Sequence, residues 1–152
     1  MSRDYRLSRM LHVLIHMGEA DRPCTSQEIA AMLNTNPVVV RRTLAGLRDQ
    51  GYVVSEKGHG GGWRLTRPLS GITLLDVHRA LEPGAVFAIG PSRDSPDCMV
   101  ERAVNASMAE AFAQAEAVLI HELSARTLAD IVAAMPPVAR RKVHDGSRGH
   151  TP

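Results

Sequence analysis

Near the start of the chain apolar residues recur at helical spacing. Leu7, Met10, Leu11, Leu14 and Ile15 share one side of a predicted helix from Tyr5 to Met17, with Arg3, Arg6 and Arg9 along another. The run Glu19-Ala-Asp-Arg-Pro23 breaks the pattern. Thr25-Ser-Gln-Glu28 has the form of a capping box, in which the threonine hydroxyl accepts from the third amide and the glutamate reaches back. It predicts a short helix from Ser26 to Leu33 with Ile29, Ala30 and Leu33 inward. A tight turn at Asn34-Thr35 leads to Asn36, a helix cap, and to Pro37, whose missing amide is harmless at the first helical position. That helix runs from Pro37 to Gln50 and stops at Gly51. Steps of about 100° per residue place Val40, Leu44 and Leu47 on its core face; Val38, Arg42, Ala45 and Asp49 fall opposite, with Arg41 to one side.

Beyond Gly51 the period changes from helical to extended. Tyr52-Val-Val-Ser55 and Trp63-Arg-Leu-Thr66 read as two strands around the glycine-rich Glu56-Lys-Gly-His-Gly-Gly-Gly62. Two short helices, a tight turn and a glycine-tipped hairpin describe a winged helix-turn-helix. After a connector at Pro68–Gly71, Thr73-Leu-Leu-Asp76 starts a helix carrying Leu74, Leu75, Val77, His78 and Leu81. Pro83 to Pro96 reads as a loop. The longest helical pattern, Cys98 to about Leu123, carries a stripe of Val100, Val104, Met108, Ala111 or Phe112, Ala115, Leu119 and Leu123. Thr127-Leu-Ala-Asp130 caps a last short helix, and the polar chain from Pro136 reads as disordered. The expected fold is mainly α with a small β-hairpin wing. Its divisions are a winged helix-turn-helix at 1–67, connector, sensor-position loop and long helix at 68–135, and a tail at 136–152.

Charge sharpens this division. The net +2 conceals ten Lys/Arg against six Asp/Glu in residues 1–67, four against nine in 68–135, and four against one in the tail. A basic front suits a polyanion and an acidic middle suits something else. Aromatic residues, at 3%, are too sparse for an RNA-stacking surface. On the exposed face of the second helix, Arg41 or Arg42 suits a bidentate contact to guanine or a phosphate contact, and Val38 a thymine methyl; a solvated arginine pair is the alternative. Lys57 and His59, beside Gly58, Gly60, Gly61 and Gly62, form a tip thin enough for a minor groove, or else a plain hairpin end. No Ser/His/Asp arrangement, acid pair or complete metal set is spaced for catalysis, so an enzyme is not expected. A winged-helix module for protein–protein assembly remains the competing function.

Four segments together resemble one family: Asn36-Pro-Val-Val-Val-Arg-Arg42, Leu47-Arg-x-x-Gly51, Gly58-x-Gly-Gly-Gly-Trp-Arg-Leu65 and Ile72-Thr-Leu-Leu-Asp-Val77. They are similar to the Rrf2 (BadM/IscR-type) bacterial transcriptional regulators, over residues 1 to about 135. The resemblance implies a homodimeric, cytoplasmic repressor that binds palindromic double-stranded DNA, with the long helix as dimerisation helix. The interface it implies is Val100, Val104, Met108, Phe112, Ala115, Leu119 and Leu123. The expected DNA-facing residues are Gln27, Thr35, Asn36, Val38, Arg41, Arg42, Lys57, His59 and Gly60.

Members of this family that hold an iron–sulfur cluster use three closely spaced cysteines ahead of the long helix. This chain has only Cys98 there and Cys24 elsewhere, so no cluster, and no cofactor, is expected. Cys98 sits at the sensor position, as a redox-responsive thiol or as an unreactive remnant. His12 and His16 are spaced to share a metal, but nothing nearby completes a ligand set, so they read as a partly exposed helix face. Two cysteines are too few for a secreted disulfide framework, and no apolar run approaches membrane-spanning length. Neither a membrane partner nor a small-molecule effector is identified.

Overall fold

The computed structural model describes residues 5–82 and 90–137. The outer part of the expected loop (83–89), the tail from 138 and Arg3 lie outside the described residues. The element order is α1 (Arg6–Glu19), α2 (Ser26–Leu33), α3 (Pro37–Asp49), β1 (Val53–Glu56), β2 (Gly62–Leu65), a 3-10 turn (Leu69–Gly71), α4 (Leu74–Leu81), α5 (Met99–Ser124) and α6 (Leu128–Ala134). The fold is therefore mainly helical with one antiparallel hairpin, as the sequence predicts.

Helix starts follow local chemistry. Capping boxes at Thr25/Glu28, Thr73/Asp76 and Thr127/Asp130 open α2, α4 and α6. Each satisfies amides that a helix leaves orphaned at its first turn. At α3 the Asn36 Oδ1 accepts from the Val38 and Val39 amides at 3.0 and 3.1 Å, and Pro37 follows it. Asn34 adopts a left-handed φ of 50° at the end of α2, which turns the chain directly into α3. Asparagine tolerates that conformation better than most residues with a Cβ.

One hydrophobic core joins the described elements other than α5. Val40, Leu44 and Leu47 enter it from α3, as their spacing predicts, beside Ile29 and Ala30 of α2, Val53 and Trp63 of the hairpin, Ile72, Val77, Ala80 and Leu128. On α1 the buried set is Met10, Val13, Leu14, Ile15 and Met17; Leu7 and Leu11, expected inside, are only half-buried. α1 contacts α2, β2, α4 and α6, so it buries a broader face than one stripe, and Leu7 and Leu11 fall at the border beside α6. α4 buries Leu75, Val77 and Ala80, leaving Leu74, His78 and Leu81 half-covered. Gly46 makes this packing possible: a Cβ there would collide with the Ala80 carbonyl, so glycine lets α3 and α4 approach closely.

The helix α5 differs. It is 26 residues long and none of them is buried. Its start and end are tied locally: Asn105 and the Ser92 backbone exchange two hydrogen bonds, and Glu101 accepts from the Ser95 amide at 2.7 Å. After α5 the chain returns to the core through Leu128, whose amide donates to the Ile72 carbonyl at 2.9 Å.

Candidate nucleic-acid interface

The turn between α2 and α3 sets the start of the second helix. Thr35 is half-buried and its amide donates to the Ala30 carbonyl at 2.9 Å. Asn36, exposed, spends its side-chain oxygen on the cap. From there Val38, Val39, Arg41 and Arg42 present exposed side chains on the first turns of α3, with Val38 56% accessible. Gln27 is exposed in the first turn of α2.

The other described arginines of this half are engaged. Arg6 pairs with Glu82, Arg22 with Glu28, Arg48 with Asp49 and Arg64 with Glu56. Arg9 donates to the Leu33 carbonyl at 2.6 Å, and Arg67 stacks 4.8 Å over the Tyr52 ring. Arg41 and Arg42, by contrast, make no ion pair or side-chain hydrogen bond among the described residues, and neither does Lys57. Among the described residues of 1–67 three cations thus stand unpaired, two on α3 and one at the hairpin tip.

The hairpin registers Val53 with Leu65, Val54 with Arg64, Ser55 with Trp63 and Glu56 with Gly62. Gly58 and Gly60 turn the tip with φ of 92° and 76°, leaving Lys57, His59 and Gly60 exposed. The base of the wing is clasped to the entrance of α2. Cys24 and Trp63 exchange backbone hydrogen bonds of 2.9 and 2.7 Å, and the Trp63 Nε1–H donates to the Ser26 hydroxyl at 3.0 Å. Gly62 is needed here, because a Cβ would stand 2.6 Å from the Cys24 carbonyl at a φ of 150°. This clasp fixes the wing relative to the helix pair. Local spacing could not reveal it, since its partners are nearly forty residues apart.

The expected interface residues of α5 do not share one environment. Val100, Val104 and Ala115 are exposed, while Met108 and Phe112 are half-buried. Leu119 and Leu123 line a cavity with Arg6, Leu7, His78, Leu81 and Glu82 of the same chain. A second strip, at steps of four, three, four, four and three residues, carries Val100, Val104, Ser107, Ala111, Ala115 and Val118, all exposed. Two of these, Ser107 and Val118, were not singled out from the sequence, because serine gives little hydrophobic signal and Val118 falls one position off the stripe through Leu119.

Cys98 is exposed and stands at the N-cap of α5. The Glu101 amide, then the Val100 amide, hold its thiol below the ordinary cysteine value. Cys24 is buried, and that burial pushes its thiol up.

Residues 4–134 match the family described as Rrf2, iron-dependent transcriptional regulator. YwnA of Bacillus subtilis, named as an HTH-type transcriptional regulator, is 29% identical over 127 residues, spanning 84% of this chain and 94% of that protein. Among solved structures, CymR (YrzC), the global cysteine regulator of B. subtilis, is similar with a TM-score of 0.66 at 20% identity, over 90% of this chain and 99% of that one. IscR of T. potens is similar with a TM-score of 0.59 at 23% identity, over 90% of this chain and 93% of that one.

Proposed function

The chain belongs to the Rrf2 family of transcriptional regulators, and from that membership we propose that it is a homodimeric repressor of a palindromic operator. The observation that supports the DNA contact is the set Arg41, Arg42 and Lys57, unpaired among the described residues, in a half-molecule whose other described arginines are engaged. Arg41 and Arg42, with Val38, enter the major groove beside the capped start of α3. Lys57, His59 and Gly60 follow the adjacent minor groove, and Gln27, Thr35 and Asn36 sit against the phosphate backbone. Such a regulator acts in the cytoplasm; among the described residues no helix is long and apolar enough to cross a membrane.

Dimerisation rests on α5. A helix apolar on several sides with no buried residue is stable only when something covers it. The strip from Val100 to Val118 is self-complementary about a two-fold axis at its middle, near Ser107 and Ala111. Antiparallel pairing sets the Val100–Val104 end of one copy beside the Val118 end of the other. Met108 and Phe112 flank that seam.

The donor set does not fit an iron–sulfur cluster. The chain has two cysteines; Cys24 is buried in the clasp with Trp63, which leaves Cys98 as one thiolate where three or four are needed. Among the described residues no group of three His, Cys, Asp or Glu stands together to substitute. Signal input through Cys98 is instead attack of its exposed thiolate, favoured by the lowered pKa, on a peroxide: the sulfur gains one oxygen as sulfenic acid while the O–O bond breaks and hydroxide leaves.

A salt titration of DNA affinity tests the whole. Six cations per dimer predict a slope of log K on log salt of about −5 and a large ratio of selected-site to random-sequence affinity. Affinity that ignores both salt and sequence would overturn DNA binding and leave the protein-assembly module.

A further inference from the structure

We infer that His12 and His16 form a two-histidine chelate for a late first-row divalent cation on the outer face of α1. The two Nε2 atoms stand 3.0 Å apart on successive turns of the helix, with the rings edge-on at 70°. Two metal–imidazole bonds of roughly 2.0–2.1 Å, set at about 90–109°, span about 2.9–3.4 Å. The pair therefore already has the N···N separation that one ion requires, and modest ring rotations on adjacent turns of α1 bring both lone pairs onto it.

Both rings line an open groove of about 550 Å³ between α1 and α6, walled by Leu7, Leu11, Ile15 and Ile131. Imidazole ligates through a neutral nitrogen. Without metal the two rings satisfy each other by one hydrogen bond. With metal both lone pairs turn to the ion, and water completes its coordination, since no third His, Cys, Asp or Glu joins them among the described residues.

Ligand type selects the ion. Two imidazoles and water suit Cu2+, Ni2+ and Zn2+, in the order of affinity Cu2+ above Ni2+ and Zn2+, while Mg2+ and Ca2+ demand oxygen ligands. Bound metal would staple two turns of α1, the helix whose Arg9 holds the last carbonyl of α2. The site is independent of the DNA-contacting residues, so it stands or falls apart from operator binding.

The full-length chain is titrated calorimetrically with Ni2+ and Zn2+, and thermal unfolding is followed with and without metal. One ion per chain and a raised Tm are expected, with tenfold or greater weakening and no Tm shift in both His12→Gln and His16→Asn. His12 is exposed, so His12→Gln keeps the test decisive if His16→Asn misfolds. The variant His144→Gln/His150→Gln, lacking the tail histidines, should bind as wild type. No uptake by wild type, or uptake that His12→Gln leaves unchanged, would overturn the site and leave a hydrogen-bonded pair.

Discussion

At the scale of single residues, the decisive contrast is between paired and unpaired cations. Arg22 is spent on Glu28 at 2.5 Å, whereas Arg42 is unpaired among the described residues and costs nothing to redirect toward DNA. Arg42→Ala is expected to weaken operator binding by about 1–3 kcal/mol and to relax preference at one base position, measured by anisotropy on operator and random duplexes. An equal loss on both duplexes with a shallower salt slope would assign it to phosphate. Glu28 reports the paired case. The Arg22 guanidinium, and after it the Thr25 amide and hydroxyl, hold its carboxyl down to about 2 against the opposing effect of burial. A carboxyl depressed on folding stabilises above its unfolded value and loses that contribution as pH falls through the folded one. Glu28→Gln should therefore flatten the fall of Tm between about pH 5 and pH 2; an unchanged acid limb would show the pair to be screened by solvent.

At the scale of elements, the caps and the hairpin could be read directly because each is a local event. Thr25 finds Glu28 and Asn36 finds the Val38 amide within three residues, so composition and spacing suffice. The faces of α3 were legible because α2, α4 and β1 all meet it along one stripe, that of Val40, Leu44 and Leu47. α1 and α5 were not: α1 is covered on more than one side, and only part of the α5 stripe faces the chain's own body. Val13 and Met17 are buried only because α1 meets other elements on more than one side. On α5, one reading of the stripe merged residues facing the chain's own body, such as Leu119, with residues facing outward, such as Val104. The dimer proposal can be tested at this level. Ala111→Asp sets two like charges near the two-fold axis of the strip, and dissociation should strengthen on the order of 100-fold or more, giving a monomer by sedimentation velocity. A dimer that survives the charge would move the interface to another face.

For the molecule as a whole, the basic front and acidic middle meet in one core rather than in two bodies, since Ile72, Val77, Ala80 and Leu128 pack with α1–α3 and Trp63. α4 and α6 thereby share one core with α2 and α3, the helices proposed to meet DNA, a continuity no linear pattern displays. The same continuity gives the clasp between Cys24 and Trp63 a consequence in time as well as in place. Cys24 is shielded at 6% exposure with its thiol pushed up, while Cys98 is open to solvent. A thiol-specific label should modify Cys98 at once and Cys24 only at moments when the clasp lets go, so mass spectrometry of the labelled chain counts those openings. Operator DNA should lengthen the wait at Cys24, because a wing held in a groove cannot swing away. Two thiols labelled at the same fast rate would mean that the wing hangs loose. The buried cysteine thus serves as a clock for how often the wing lets go of the helix pair.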